Sequence, residues 1–484
     1  MVRWASLLGI LVALSATSLL SAVESKEVVC YYGTWAVYRP GNGRFSPDDV
    51  DPFLCTQLVF AFLDINPDGS LRIMDENLMT PSYDTFGKFS ALKQRNPALK
   101  TMVAVGGWNA GPTNFATVAS NQQLRVNFAR NAVAFLQKYR LNGMDIDWEY
   151  PGAGDKSNFV LLLKELRDAF APNNFILTVA VGASEGTASV AYDIPAISGL
   201  VNFINLMTYD FHYKVAGATC HNAPLAPSPS DTAWQAQSNV QASVKYWLSK
   251  GAPAAKLTLG VPFYGRTFTL SNPSQNGVGA PTRGLGNKGP ITDELGLLGY
   301  NEICANRWPA QFDSIQIAAY ASNGDQWVSY DDVSVIKRKC DLIAQYGLGG
   351  GMVWSIETDD FKGICGPRNP LLTALKGCVD GNTNNPVTAN PTAATTAKPA
   401  TTVKPATTVK PATTVKPATT VKPATTAKPS GQIVCNRDGY YRHPTNCAQF
   451  YRCVSGTAYI YDCAPGTVYN EKITACDWPA NVQC

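Results

Sequence analysis

The fold of this chain is decided by the stretch Leu141-Asn142-Gly143-Met144-Asp145-Ile146-Asp147-Trp148-Glu149-Tyr150-Pro151. Asp145, Asp147 and Glu149 occupy alternate positions, and Met, Ile and Trp stand between them. Side chains two apart in a β-strand share a face and lie about 6–7 Å from one another. The stretch therefore predicts a strand with an acidic row and an apolar row, ended by a proline and a glycine directly after Glu149. The alternative is the solvated face of a structural strand, which gains nothing from neighbouring like charges.

The beginning of the chain is typical of a secretory signal. Arg3 precedes a mostly apolar run from Leu7 to Leu20, and small residues follow at Ser21 and Ala22. This pattern predicts a signal peptide over residues 1–22, with cleavage between Ser21 and Lys26. The run is short for a membrane-spanning helix, and no later stretch is apolar enough to be one. We therefore expect a secreted, extracellular protein that does not act on membranes.

Cysteine spacing and composition divide the 484-residue chain. Residues 380–430 repeat Ala-Thr-Thr-Val-Lys-Pro and contain no aromatic residue, which predicts an extended linker rich in threonine that can carry O-linked sugars. Six of the 13 cysteines lie after this linker, so residues 431–484 are predicted to form a small disulfide-stapled β-type module. The net charge of +4 is owed largely to the linker lysines, and no basic stripe suggests a nucleic-acid partner.

Apolar runs before the linker alternate with helical patterns, such as Gln123–Tyr139, Ser157–Phe170 and Thr232–Lys250. This alternation predicts an α/β fold, a (β/α)8 TIM barrel over residues 26–379. The gap after the seventh strand is too long for one helix, so we expect a small α+β subdomain inserted over residues 266–332. The predicted strands are Val28–Trp35, Gln57–Asp64, Lys100–Gly107, Gly143–Tyr150, Ile176–Val181, Phe203–Asp210, Lys256–Tyr264 and Gly349–Ile356.

Chemically useful side chains fall at one end of this predicted barrel. Glu149 and Asp210 end the fourth and sixth strands, Trp354 lies near the end of the eighth, and Trp108 follows the third. Active sites of such barrels lie at the C-terminal ends of the strands. Carboxylates and aromatic rings are therefore expected to meet at one mouth, which favours a functional acidic row over a structural one.

Four motifs resemble those of the family 18 glycoside hydrolases, and specifically of animal-type chitinases, and they follow one another in the same order. The resemblance covers about residues 28–378. It rests on Lys100-Thr-Met-Val-Ala-Val-Gly-Gly-Trp108, the acidic run to Glu149, Met207-Thr-Tyr-Asp210 and Gly350-Gly-Met-Val-Trp354.

The resemblance implies a mechanism with one catalytic carboxylic acid. Glu149 would protonate the glycosidic oxygen, and the acetamido oxygen of the substrate would serve as the nucleophile, as the family is an exception to the two-carboxylate pattern. Asp147 would orient the acetamido group, Asp145 would share a proton with Asp147, and Tyr209 would hydrogen-bond the acetamido oxygen. Neighbouring carboxylates cannot all ionise cheaply, so one proton is expected to stay in the row.

The resemblance also implies the residues that bind sugar. Asp210 and Arg266 would contact hydroxyl groups, and aromatic rings would stack on the apolar faces of the sugars. Trp354 would form the floor of the central subsite. For any single aromatic residue the alternative is core packing, and Met207 is expected to pack the pocket wall. The full set is Tyr31, Trp35, Trp108, Met207, Asp210, Arg266 and Trp354.

The chain departs from the family pattern at several positions. Asn142 stands where the acidic motif usually begins with aspartate, and Glu357 replaces a usual aspartate after the tryptophan motif. Tyr213 replaces a usual glycine, and Lys214-Val215 occupy the stretch where many relatives carry a product-side tryptophan. We expect intact chemistry but altered binding on the product side.

The terminal cysteine spacing C-x11-C-x5-C-x9-C-x12-C-x7-C resembles the peritrophin-A type of chitin-binding domain. Tyr469 and Trp478 are candidates for sugar stacking, the alternative being that so small a domain needs every aromatic residue for its core. Spacing alone allows fifteen connectivities. The resemblance implies the pairs Cys435–Cys453, Cys447–Cys484 and Cys463–Cys476 here, and Cys30–Cys55 and Cys304–Cys365 in the barrel, with Cys340 and Cys378 as a further candidate pair.

The leading hypothesis is a secreted, monomeric endo-chitinase that acts on chitin and chitooligosaccharides and is held on the polymer by its terminal module. Cys220 remains as a buried thiol. The histidines show no metal-ligand spacing, so we expect neither metal nor cofactor. One alternative is a lectin-like chitin-binding protein without hydrolytic activity, against which the presence of Glu149 argues. Another is a mucin-like matrix protein, for which a single module and linker are too few.

Overall fold

The computed structural model describes residues 26–212, 217–381, 435, 439–454, 457–463, 468–471, 475–477, 479 and 482. Predictions that fall on the signal segment, on the linker beyond residue 381, and on Tyr213, Lys214, Val215, Trp478 and Cys484 lie outside the described residues. The chain divides into two compact units, Met1–Pro391 and Thr392–Cys484.

The described strands and helices of the first unit alternate along the chain. The strands are β1 (Glu27–Gly33), β2 (Gln57–Ile65), β3 (Leu71–Ile73), β4 (Lys100–Gly106), β5 (Gly143–Asp147), β6 (Ile176–Gly182), β7 (Phe203–Met207), β8 (Leu257–Pro262), β9 (Tyr264–Leu270), β10 (Thr282–Leu285), β11 (Leu297–Gly299), β12 (Ala310–Asp313), β13 (Ala318–Asn323), β14 (Gln326–Tyr330) and β15 (Gly350–Trp354). The α-helices are α1 (Thr85–Arg95), α2 (Thr113–Ser120), α3 (Gln122–Lys138), α4 (Lys156–Phe170), α5 (Glu185–Ala191), α6 (Ile194–Leu200), α7 (Val240–Ser249), α8 (Tyr300–Asn306), α9 (Val333–Gln345) and α10 (Pro370–Val379).

Parallel strands form a closed barrel in the order β1-β2-β4-β5-β6-β7-β8-β15. The barrel closes because β1 pairs in parallel with both β2 and β15. The predicted TIM barrel is confirmed. No helix of the described residues is long and apolar enough to cross a membrane.

The acidic strand ends earlier than predicted. β5 stops at Asp147, opposite Gly106, rather than at Tyr150. Gly106 and Gly107, at the end of β4, have φ angles of 115° and 85°, conformations open to glycine. The N–H of Gly107 still donates to the carbonyl of Asp147 at 2.8 Å, and Glu149 lies in the segment just beyond the strand. The sixth barrel strand likewise ends at Met207 rather than at Asp210.

The predicted helix Thr232–Lys250 was also too long at its start. The helix α7 begins at Val240, after Asn239, whose side chain caps it by accepting the N–H of Ala242 at 2.9 Å. The extended backbone of Asn239 ends the helical pattern on its N-terminal side. The other two helices lie within one residue of their predicted starts, as α3 and α4.

Alternation along β5 divides the two rows between two environments. Met144, Ile146 and Trp148 pack in the large apolar core between the barrel and its helices. Asp145 and Asp147 are buried on the opposite face, inside the barrel. The barrel strands thus direct the acidic row inward.

An antiparallel sheet is inserted between β8 and α9. Its strands run in the order β10-β9-β14-β13-β12, and β11 pairs with β9. The sheet spans Tyr264–Tyr330, close to the predicted 266–332, and packs with α8 around Leu298 and Ile303. The α+β subdomain is confirmed.

Disulfides join Cys30 to Cys55, Cys304 to Cys365, and Cys340 to Cys378 in the first unit. Cys220 is a free thiol that donates to the carbonyl of His212 at 3.0 Å, and burial raises its pKa to about 12.

The second unit is a small β module. The strands β16 (Gly439–Arg442), β17 (Gln449–Val454) and β18 (Thr457–Asp462) form one antiparallel sheet, and β19 (Val468–Asn470) pairs with β20 (Ala475–Asp477). A disulfide joins Cys435 to Cys453, and Cys447 and Cys463 are also disulfide-bonded. The ring of Phe450 stacks on those of Tyr461 and Tyr469, at centroid distances of 5.3 and 4.7 Å.

Candidate active site

A cleft of about 1060 Å³ lies over the ends of the barrel strands. The segments that follow the strands provide its walls, and the inserted subdomain adds residues such as Arg266 and Glu294. The predicted residues that line it are Tyr31, Trp35, Trp108, Asp147, Glu149, Met207, Tyr209, Asp210, Arg266 and Trp354.

Asp145 lies beneath the cleft, fully buried. Its carboxylate accepts hydrogen bonds from the hydroxyl of Tyr31 at 2.8 Å, the hydroxyl of Thr178 at 2.5 Å and the amide of Asn205 at 3.1 Å. Burial raises the pKa of Asp145 to about 6, although these three donors favour its ionised form. Asp145 is therefore the member of the row best supplied with partners for a negative charge.

Asp147 lies one step nearer the cleft, with its Oδ1 buried and without a hydrogen-bond partner among the described residues. Burial and the neighbouring carboxyls of Glu149 and Asp145 hold its pKa well above the ordinary range. This raised pKa favours the protonated form of Asp147. Its unpartnered oxygen can take a hydrogen bond from a ligand in the cleft.

Glu149 is half-buried in the wall of the cleft. Burial raises its pKa to about 7, and the charge of Asp210 adds to the increase, while a hydrogen bond with Tyr150 and one from the backbone of Trp108 oppose it. A carboxyl group with this pKa is partly protonated at neutral pH, as a general acid must be.

Tyr209 places a phenol beside the acidic row. Its hydroxyl lies 3.8 Å from the Sδ atom of Met352, and its ring packs edge-on against Tyr264 at 6.1 Å. Burial is the main reason that the pKa of Tyr209 lies well above its ordinary value. The hydroxyl therefore stays protonated and can donate a hydrogen bond into the cleft.

Asp210 and Arg266 form a two-pronged ion pair on the cleft wall. The Nε and Nη2 atoms of Arg266 donate to the two carboxylate oxygens of Asp210 at 2.7 and 2.6 Å. The guanidinium lies over the ring of Tyr264, 5.3 Å from its centroid. The backbone of Asp210 has φ 58°, in the left-handed region.

Aromatic rings form the floor and one end of the cleft. The ring of Trp354 lies 5.6 Å from that of Tyr31, 6.1 Å from that of Trp35 and 5.5 Å from that of Phe62. Trp35 and Trp108 are exposed. Tyr31, predicted to bind sugar, is instead buried, because its hydroxyl reaches down to Asp145.

Sequence reasoning missed several residues of the site. Thr178 and Asn205 are inward-facing polar residues in otherwise apolar strands, a signal that could have identified them as partners of the acidic row. Trp234 lines the cleft with 56% of its surface exposed. It lies in the segment predicted to be helical, and no motif distinguished it.

Two of the residues that depart from the family pattern, Glu357 and Asn142, make hydrogen bonds that hold the backbone. Glu357 is buried and accepts the backbone N–H of Gly33 at 3.0 Å and the hydroxyl of Ser355. It therefore ties the segment after Trp354 to the end of β1. The Oδ1 of Asn142 accepts the N–H of Thr101 at 3.0 Å, away from the cleft.

In the terminal module, Tyr469 is one of the residues predicted to stack on sugar. Its ring is buried against Phe450, so it has no free face to offer. Tyr440 and Tyr461 are the exposed tyrosines of the neighbouring sheet.

Two parts of the chain are similar to known protein families. Residues 27–359 match the model of the glycosyl hydrolases family 18, and residues 435–484 match the chitin-binding peritrophin-A domain. Mouse chitotriosidase-1 is 40% identical over 370 residues, 73% of this chain and 78% of that protein. The Group IV chitinase of Ostrinia furnacalis, solved with allosamidin, is 44% identical with a TM-score of 0.71, covering 74% of this chain and 99% of that one. Human YKL-39, described as a pseudo-chitinase with retained chitooligosaccharide binding, is 33% identical with a TM-score of 0.69, covering 73% and 99%.

Proposed function

The chain belongs to the family 18 glycosyl hydrolases and carries a chitin-binding module, and we propose that it is a secreted endo-chitinase. It hydrolyses β-1,4-linked N-acetylglucosamine polymers with retention of configuration. The observation that carries this proposal is the carboxyl group of Glu149, which has a raised pKa and lies beside the buried Asp147 in a cleft with an aromatic floor.

The first step breaks the glycosidic bond. Glu149 gives its proton to the glycosidic oxygen as that oxygen leaves the anomeric carbon. The carbonyl oxygen of the substrate's own acetamido group bonds to the same carbon from the other side, giving a cyclic oxazolinium ion. In the second step Glu149, now ionised, takes a proton from water as the water attacks the anomeric carbon and opens the ring. Two inversions at one carbon give net retention.

The acidic row supports the positive charge of the intermediate. Asp147 holds the acetamido N–H with its unpartnered oxygen, and the proton that Asp147 carries can move toward Asp145 as the cation forms. This transfer leaves the negative charge on Asp147, beside the cation. Before the transfer Asp145 can carry the negative charge, because Tyr31, Thr178 and Asn205 donate to it. Tyr209 donates to the acetamido oxygen and fixes its direction of attack.

The remaining cleft residues hold the sugar chain. Trp354 stacks on the sugar at the reaction centre, Met207 packs the wall, and Asp210 with Arg266 bonds hydroxyl groups. Trp35 follows β1 and Trp234 follows β7, strands on nearly opposite sides of the barrel. A cleft with an aromatic ring at each end suits an internal stretch of polymer, which supports endo-cleavage.

The terminal module serves as an anchor. In this proposal residues 26–379 carry the chemistry, residues 380–430 are the tether, and residues 431–484 bind chitin, with Tyr440 and Tyr461 replacing Tyr469 as stacking rings. Binding one site of an insoluble polymer raises the effective concentration of the other. The disulfides of both units support an oxidising, extracellular location.

The test is the variant Glu149→Gln, which keeps the shape of the side chain but has no proton to give. Hydrolysis of chitohexaose should fall by at least about a hundredfold, the order expected for losing a general acid, while binding of chitohexaose persists. Glu165→Gln on the outer helix α4 is the control. Turnover by Glu149→Gln near that of the wild type would contradict the assignment. A wild-type protein that binds chitohexaose without cleaving it would favour the lectin-like alternative.

A further inference from the structure

One buried side chain outside the cleft touches the backbone on both sides of the Asp210–Arg266 pair. Asn222, only 1% exposed, lies between β7 and α7 and is not among the residues that line the cleft. Its Oδ1 accepts the N–H of Asp210 at 3.0 Å, and its Nδ2 donates to the carbonyl of Tyr264 at 3.4 Å. Asp210 carries the carboxylate of the pair, and Tyr264 carries the ring on which the guanidinium lies. Asn222 therefore sets the distance between the two segments that hold the pair.

The backbone at Asp210 needs such a partner. β7 pairs with β8 as far as Leu206 and with β6 as far as Met207, so Asp210 lies beyond the paired part of the strand. Asp210 then adopts φ 58°, a region that residues with a Cβ rarely enter. The N–H of Phe211 also donates to Asn222, at its backbone carbonyl oxygen, at 3.2 Å. Two consecutive N–H groups are thus satisfied by one residue.

Hydrogen bonds to the inserted subdomain hold Asn222 itself in place. Its N–H donates to the hydroxyl of Ser329 on β14 at 3.3 Å. The same hydroxyl lies 2.9 Å from Nδ1 of His221, whose Nε2 lies 3.1 Å from Asp313 on β12. The antiparallel sheet therefore holds Asn222 in place, and Asn222 holds Asp210.

We propose that Asn222 is a positioning residue for the reaction, which keeps the Asp210 carboxylate and the Arg266 guanidinium in register over the cleft without touching substrate. This inference rests on the proposed function. Because Asp210 also contacts Glu149 electrostatically, its displacement would affect both sugar binding and the acid.

The experiment compares Asn222→Ala with Asn239→Ala. Asn239 is also 1% exposed, and its amide also joins two backbone groups, the N–H of Ala242 at 2.9 Å and the carbonyl of Ala236 at 2.8 Å. Asn239 does not itself line the cleft, although Ser238 before it does. Both variants lose a similar buried amide and should lose similar thermal stability. Only Asn222→Ala should lower kcat/KM for chitohexaose, by about tenfold, the size of a coupling between neighbouring groups.

A double-variant cycle with Asp210→Asn separates positioning from general destabilisation. If Asn222 acts through Asp210, kcat/KM of the double variant should lie within about twofold of that of Asp210→Asn alone. If the two losses are independent, they multiply, and kcat/KM of the double variant should be about tenfold lower than that of Asp210→Asn. Because Asn239→Ala alone should not lower kcat/KM, adding it to Asp210→Asn should leave the kcat/KM of Asp210→Asn unchanged. Equal activities of Asn222→Ala and Asn239→Ala, or multiplied losses in the Asn222 cycle, would overturn the proposal.

Two further arms keep the test decisive. If Asn222→Ala does not fold, Asn222→Asp fills the same space and keeps an acceptor for Asp210, but places oxygen against the Tyr264 carbonyl; it should still lose activity and still couple to Asp210→Asn. If the wild type binds but does not cleave chitohexaose, the proposed function fails. The same cycle is then measured on affinity, where an Asn222→Ala variant that binds as tightly as Asn239→Ala would refute the positioning role separately.

Discussion

Replacing Tyr31 by phenylalanine removes one hydrogen bond from the acidic row and keeps the ring. The Tyr31 hydroxyl donates to Oδ2 of Asp145 at 2.8 Å, and the ring packs edge-on against Trp354 at 5.6 Å. This donor favours the ionised form of Asp145, whose pKa burial raises to about 6. Loss of the donor must therefore raise that pKa further.

The size of the effect follows from the bond. A hydrogen bond to a charged group contributes about 1.5–3 kcal/mol, and about 1.4 kcal/mol corresponds to one pKa unit. We expect the pKa of Asp145 to rise by about 1–2 units. In the proposed mechanism the Asp145–Asp147 pair must keep one negative charge to stabilise the cation. The rate is therefore lost as the pH falls through the pKa of Asp145. In Tyr31→Phe the acid limb of the pH–rate profile should move to higher pH by the same amount as this pKa rises.

The assay is the dependence of kcat/KM for chitohexaose on pH. The control is Tyr32→Phe, because the Tyr32 hydroxyl is buried on the other side of β1 and has no hydrogen-bond partner in the described part of the chain. Tyr32→Phe should leave the acid limb unchanged. An acid limb that stays in place in Tyr31→Phe, or that moves equally in both variants, would refute the role given to Asp145.

Trp354→Ala should raise KM for chitohexaose by about tenfold or more, because a buried aromatic contact of this kind contributes about 1–3 kcal/mol; an unchanged KM would contradict the stacking role. Trp234→Ala should change which bonds of chitohexaose are cut, as seen in its product ratios, whereas Phe53→Ala, an equally exposed ring outside the cleft, should not. Removing the residues after Asp380 should spare hydrolysis of soluble oligomers but reduce retention on insoluble chitin, measured by sedimentation with the polymer; equal retention of both forms would count against the anchor.

The barrel and its insertion could be predicted because their signals are local. The spacing of Asp145, Asp147 and Glu149 fixes which faces are buried, and strand–helix alternation fixes the closed parallel sheet. Strand ends could not be predicted, because they depend on the neighbouring strand. The ladder between β4 and β5 ends at the pair Gly106 and Asp147, where the backbone of Gly106 has φ 115°.

Residues of the site that lie within motifs were found, and those brought together only by tertiary packing were not. Thr178 and Asn205 donate to Asp145 from separate strands, so the charge balance of the row is visible only in the folded chain. The burial of Tyr31 and Tyr469 could not be predicted for a related reason. An aromatic residue near a site can serve the core or a carboxylate as well as a sugar, and burial alone distinguishes these roles.

The central claim is that the substrate supplies the nucleophile while Glu149 supplies the proton. The most direct test is a side-by-side digestion of chitohexaose and its fully de-N-acetylated counterpart, followed by NMR of the anomeric protons in the first products. We expect β-anomers from chitohexaose and no cleavage of the glucosamine hexamer. Initial α-anomers, or comparable cleavage of the hexamer that lacks acetamido groups, would contradict it.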